Sequence, residues 1–102
     1  MNLGKVVGTV VSTRKESSLE GLRFMLVKVV DETLKETGAQ LVAVDAVGSG
    51  PGEIVMVASG SSARQTAMTD KRPCDAVIMG IVDSWDVEGQ SVYRKADADG
   101  AA

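Results

Sequence analysis

The sequence predicts an all-β chain with one short helix, folded as a small barrel or sandwich that associates with copies of itself. Three observations lead there. Short β-branched apolar runs recur along the chain with polar or glycine-containing turns between them. A single segment carries a helix-start signal. Most of the apolar runs also fail to alternate, so both faces of each strand are apolar.

Taken in order, Val6 to Thr13 reads as the first strand, and Arg14 to Gly21 as a polar loop. Leu22 to Val30 is the second strand. The charged stretch Asp31 to Gly38 is a connection with one loose helical turn ended by Gly38. Gln40 to Asp45 is the third strand, Glu53 to Ala58 the fourth and Val77 to Asp83 the fifth. Gln90 to Arg94 adds a short sixth, entered through the Glu88-Gly89 turn. Between the fourth and fifth, Ser62 and Gln65 have the spacing of a capping box. They start a short helix over Ala63 to Met68 that stops before Asp70-Lys71-Arg72-Pro73. Residues 1–95 form a single domain. Residues 96–102 have little to bury and are expected to be a disordered tail.

The apolar residues outnumber what one interior can hold. Val6, Val7, Val10 and Val11 fall on both faces of the first strand, as do Phe24, Met25, Leu26 and Val27 on the second. Ile54 to Val57 repeat this on the fourth strand, and Val77, Ile78, Met79, Ile81 and Val82 on the fifth. A small barrel has one inside. The outer face must meet either loops or another copy of the chain, and the pattern favours a homo-oligomer.

Composition excludes several function classes. With 102 residues the chain makes one domain, and no run approaches the roughly 20 apolar residues of a membrane span. Met1 to Lys5 show no charged region ahead of an apolar core, so no secretory signal is expected. The lone cysteine, Cys74, precludes an internal disulfide and fits a reducing compartment. A net charge of -3 and only three aromatics, Phe24, Trp85 and Tyr93, supply neither a basic groove nor a stacking platform for nucleic acid. Histidine is absent, which rules out Ser-His and Cys-His nucleophile pairs. A zinc site would rest on one cysteine and carboxylates. Neither catalysis nor a cofactor or metal is expected.

The segment Val44 to Arg64 is the most distinctive. Gly48-Ser49-Gly50-Pro51-Gly52 is GxGxG rather than GxGxxG, and a strand follows it, so no helix N-terminus stands behind it to hold a pyrophosphate. It is a tight backbone loop, placed against a neighbouring subunit or at the edge of a central pore. Asp45 and Glu53 bracket it. They could form an acid-base pair, but acceptance of loop N–H groups or pairing with a neighbour's basic residue is favoured. Ser61 and Ser62 follow a strand as a hydrolase nucleophile would, yet Arg64 stands where the second glycine of G-x-S-x-G belongs, which favours helix capping. Arg64 has the fork to bind a carboxylate, with Asp75 or Asp83 as partner, within or between subunits. Cys74 reads as a packed thiol, and Trp85 and Tyr93 as a cover over an open barrel end.

These segments together resemble a known family, the vertex proteins of bacterial microcompartment shells (EutN/CcmL type), from about Met1 to Lys95. The resemblance rests on Lys5 to Thr13, Val44-Asp45, Val47 to Gly50 with Gly52-Glu53, Gly60 to Gln65, Pro73 to Ala76, and Gly80 to Asp83. It implies a five-stranded OB-like barrel without catalytic activity. It further implies closed rings, usually pentamers with hexamers as the secondary alternative, that cap the corners of a polyhedral shell in the cytoplasm. The implied partners are the chain itself, hexagonal facet shell proteins and, indirectly, encapsulated enzymes, with no nucleic acid and no membrane. The C-terminal Gly89 to Tyr93 piece leans toward the ethanolamine-utilisation members over the carboxysome members. Three positions depart from the family pattern: Ser49 for alanine, Ile54 for an aromatic and Cys74 for valine. On this reading Gly48, Ser49, Gly50, Gly52, Glu53, Ser61, Ser62, Arg64, Asp75 and Asp83 are subunit-interface or pore-loop residues. The competing readings are an OB-like module for a small ligand or nucleic acid and a hydrolase using Ser61 or Ser62.

Overall fold

The computed structural model describes residues 1–13 and 15–100. Five strands close a barrel in the order β1-β2-β3-β5-β4. They are β1 (Asn2–Val10), β2 (Phe24–Val30), β3 (Glu36–Asp45), β4 (Ile54–Ser59) and β5 (Ala76–Ile81). Neighbours are antiparallel except β3 and β5, whose parallel seam is only Val44 opposite Val77 and Asp45 opposite Ile78. A separate antiparallel hairpin follows, β6 (Ser84–Val87) with β7 (Gln90–Arg94), and then a short helix, α1 (Lys95–Gly100).

The inward residues of the strands fill the barrel: Val6, Met25, Val27, Val55, Val57 and Ile78 are all fully buried together. This interior is narrow enough to demand a glycine. A Cβ on Gly4 would sit 2.4 Å from Cγ1 of Val27, so only glycine lets β1 run this close to β2.

A second apolar cluster lies on the outside of the sheet. Val44, Ala58 and Val77 point opposite to their inward neighbours and pack with Leu22, Ala63 and Cys74. The loops around 17–22 and 60–74 form its lid, and Arg72 ties them together by donating to the carbonyls of Ser18 (2.8 Å) and Glu20 (3.0 Å). Loops therefore cover one part of the outer apolar face. Another part stays open: Val7, Val42, Met56 and Met79 are 38%, 46%, 39% and 38% exposed.

Several local expectations are corrected. No α-helix forms over 63–68. Gly60–Arg64 is a 3-10 turn without a side-chain cap at its start, and the next residues continue as turns. The N–H of Thr69 goes back to Oγ1 of Thr66 (3.0 Å) instead of to the carbonyl four residues earlier. The short α-helix is α1 instead, at 95–100, where a disordered tail was expected; residues 101–102 lie outside the described ones. Asp31 to Gly38 contains no helical turn. The carboxylate of Asp31 accepts from the N–H groups of Thr33 (2.8 Å) and Lys35 (3.0 Å), which closes a β2–β3 hairpin, and Gly38 lies inside β3. The first strand starts at Asn2 rather than Val6, because Asn2 to Lys5 pair with β4.

Candidate functional site

The loop between β3 and β4 is held at both ends by a carboxylate. At the entrance, Asp45 is buried, and its Oδ1 accepts from the N–H of Val47 (3.2 Å), the N–H of Ser49 (3.1 Å) and Oγ of Ser49 (3.0 Å). Its other oxygen takes Nη1 of Arg23 at 3.0 Å. At the exit, Oε1 of Glu53 accepts the N–H of Gly50 (2.7 Å), and Oε2 takes Nζ of Lys95 at 2.6 Å. The Lys95 ammonium and the Gly50 N–H hold the Glu53 carboxyl below its usual range. The backbone is stitched to β1 as well, with Gly52 N–H donating to the Val6 carbonyl (2.7 Å) and Val6 N–H to the Glu53 carbonyl (2.9 Å). Gly48 and Gly52 have φ of 78° and 92°, a region that glycine enters without strain.

Chemically this is a backbone loop pinned at both ends rather than an acid-base pair. Both carboxylates are engaged by cations and N–H groups inside the chain, so the favoured expectation for Asp45 and Glu53 holds as far as the loop N–H groups go. Their cationic partners, Arg23 and Lys95, escaped the sequence reading. They lie 22 and 42 residues away along the chain, and no spacing rule reaches that far. Ser49 turns its departure from alanine into a hydrogen bond with Asp45.

The remaining predicted residues lie elsewhere. Ser61 and Ser62 are exposed on the 3-10 turn, and among the described residues neither hydroxyl has a hydrogen-bonded base. Arg64 donates to the carbonyl of Cys74 (3.4 Å), not to Asp75 or Asp83, so the pairing within one chain does not form. Asp75 and Asp83 are exposed and flank β5. Trp85 and Tyr93 stack with centroids 5.1 Å apart across the β6–β7 hairpin. Trp85 also donates its indole N–H to the Glu32 carbonyl (3.0 Å), which fastens the hairpin over the β2–β3 turn. Among the described residues, no three cysteine or acidic side chains are grouped to hold a metal, and no helix is long and apolar enough to cross a membrane.

Residues 1–83 match the EutN/CcmL family, described as ethanolamine utilisation protein EutN/carboxysome. The chain belongs to this family. Among its EutN/CcmL relatives, the carboxysome shell vertex protein CcmL of Gloeobacter violaceus is 44% identical over 97 residues, 95% of this chain and 97% of its own. The solved structure of that CcmL has a TM-score of 0.91 and covers 95% of this chain and 100% of its own. The microcompartment shell vertex protein GrpN of Rhodospirillum rubrum is 51% identical over 84 residues, 82% of this chain and 94% of its own. Its solved structure, a pentameric microcompartment shell protein, has a TM-score of 0.77 at 48% identity and covers 85% and 100%. EutN of Salmonella typhimurium is 36% identical over 95 residues, 93% and 96% of the two chains. The lean toward the ethanolamine-utilisation members is thus reversed in overall identity, 44% against 36%. The closed barrel of five strands agrees with the expected fold.

Proposed function

We propose that this EutN/CcmL member is a structural shell vertex protein. Copies assemble into a ring of five that caps the corners of a bacterial microcompartment shell in the cytoplasm, and no catalysis is involved. The observation that carries the reading is the apolar surface left on the outside of a closed barrel. Loops take up one cluster of it, while Val7, Val42, Met56 and Met79 stay open in the single chain. Monomeric proteins rarely leave such a surface, and a homo-oligomer buries it. The pentameric GrpN relative, with the same fold, supports five as the number.

The mechanism is geometric. A five-fold tile set among six-fold tiles forces curvature and lets a flat layer close. Rigidity is what the tile must supply, and the β3–β4 loop, held by Asp45 and Glu53, supplies it near a subunit edge or the ring axis. Arg64, Asp75 and Asp83, with no ion pair to one another inside the chain, are available to pair between subunits or with hexagonal facet shell proteins. Encapsulated enzymes are enclosed partners only indirectly.

Native mass spectrometry over a concentration series tests this. Five copies of the 10.6 kDa chain give about 53 kDa. A stable monomer at all concentrations would overturn the reading.

A further inference from the structure

Val30, Ile54 and Tyr93 are buried, yet they belong to neither of the two apolar clusters. With Leu34 they line a cleft of about 300 Å³, whose charged members are Lys5 and Glu36. The strand register places it. Ile54 of β4 stands opposite Lys5 of β1, and Lys5 opposite Lys28 of β2. Residues directly opposite on neighbouring strands share a face. The chain neighbours Val55, Val6 and Val27 all point into the barrel, so Ile54, Lys5 and Lys28 lie on its outside. The cleft is therefore an outer one, between the barrel wall, the β2–β3 turn and Tyr93 of the β6–β7 hairpin.

Leu34 is held in this wall against its backbone preference. Its φ is 71°, a region that a bulky side chain enters only under strain. Asp31 clamps the turn in that shape. Its carbonyl accepts the Leu34 N–H (3.0 Å), and its carboxylate accepts from Thr33 and Lys35 on either side. Strain that the surroundings maintain points to a role for the side chain. The charges at the cleft are also unequal. Oε2 of Glu36 lies 3.7 Å from Nζ of Lys28, so its charge is offset. Among the described residues Lys5 has no ion pair. Apolar walls beside one unpaired ammonium fit a small molecule with an alkyl body and an anionic head. We propose that this cleft binds a short-chain carboxylate. The alkyl chain lies against Val30, Leu34, Ile54 and Tyr93, and the carboxylate pairs with Lys5. Every lining residue comes from one chain, so the site does not depend on the ring.

Sodium hexanoate tests it, with hexan-1-ol as the uncharged probe of the same length. Titration calorimetry on the full chain as it assembles should show saturable hexanoate binding. Emission from Trp85, the chain's one tryptophan, should shift over the same concentrations, because its ring stacks on Tyr93. Hexan-1-ol should bind about five-fold more weakly, as loss of one partly exposed ion pair implies. Lys5→Gln alters an exposed side chain and should bring hexanoate down to the level of the alcohol. Leu34→Gly relieves the strain at φ 71° and should keep the fold, checked by circular dichroism, while weakening both probes alike. Ile54→Trp should fill the cleft and abolish both. Binding that never saturates, equal affinity for acid and alcohol, or a Lys5→Gln protein that still prefers the acid would overturn the proposal. Undiminished binding in a folded Ile54→Trp protein would overturn it too. Were that variant not to fold, Lys5→Gln and Leu34→Gly would still decide.

Discussion

Nζ of Lys95 lies 2.6 Å from Oε2 of Glu53, and this contact joins the start of α1 to the β3–β4 loop. The same carboxylate accepts the N–H of Gly50, so one side chain links the chain's last helix to the centre of the glycine loop. The pair is about three-quarters shielded on the Glu53 side, with 23% of that side chain exposed, so it is less screened than a surface ion pair.

Glu53→Gln is expected to lower stability by about 1 kcal/mol at neutral pH and to reduce its acid sensitivity. The native carboxyl is held below its ordinary value by Lys95 and the Gly50 N–H. The unfolded chain therefore takes up the proton first as the pH falls. The contribution is complete above the ordinary glutamate pKa of about 4.3 and fades below it, down through the native value. Urea unfolding of both proteins from pH 7 to pH 3 checks this. Their curves should converge toward the acid end, and a constant gap would contradict the assignment.

Asp45→Ala should cost about 1–3 kcal/mol. It strips a buried acceptor from the Ser49 hydroxyl and from two loop N–H groups at once. Ser49→Ala should cost less, about 1 kcal/mol, because Asp45 keeps its N–H donors and Arg23. Thermal unfolding of the two variants should rank them in that order.

The three loop glycines should not behave alike. Gly48→Ala and Gly52→Ala put a side chain at positive φ, at about 1 kcal/mol each. Gly50 has no such restriction, and an added Cβ would touch only Oε1 of Glu53 at 3.7 Å. Gly50→Ala should leave the single-chain fold intact. Loss of the ring mass in that variant would then report close approach between subunits at this point.

Gly4→Ala should destabilise the barrel by about 1–3 kcal/mol, since the new methyl would overlap Val27 inside a filled core. Denaturant unfolding gives the figure directly. An unchanged midpoint would show that β1 can shift away from β2.

The alternation rule accounts for what was readable and what was not. All five barrel strands were visible as β-branched runs, with ends displaced by a few residues where a partner strand decided the length, as at Asn2 to Lys5. The β6 strand went unread, although Ser84-Trp85-Asp86-Val87 alternates and Trp85 sits across from Tyr93. The helix at 63–68 failed because Thr66 and Thr69 bond to each other through their side chains, which a capping-box pattern does not register.

By itself the sequence determined the strand content, the tight loop at Gly48 to Gly52, the surplus of apolar residues over one interior and the family. Those depend on local backbone preference and on composition, which are written in consecutive residues. Only the tertiary structure decided which apolar residues the loops cover and which stay open. It also decided that Arg64 faces the Cys74 carbonyl, and that Arg23 and Lys95 are the cations that hold the loop. These contacts join positions far apart in the chain, and barrel closure, rather than any spacing along it, brings them within reach.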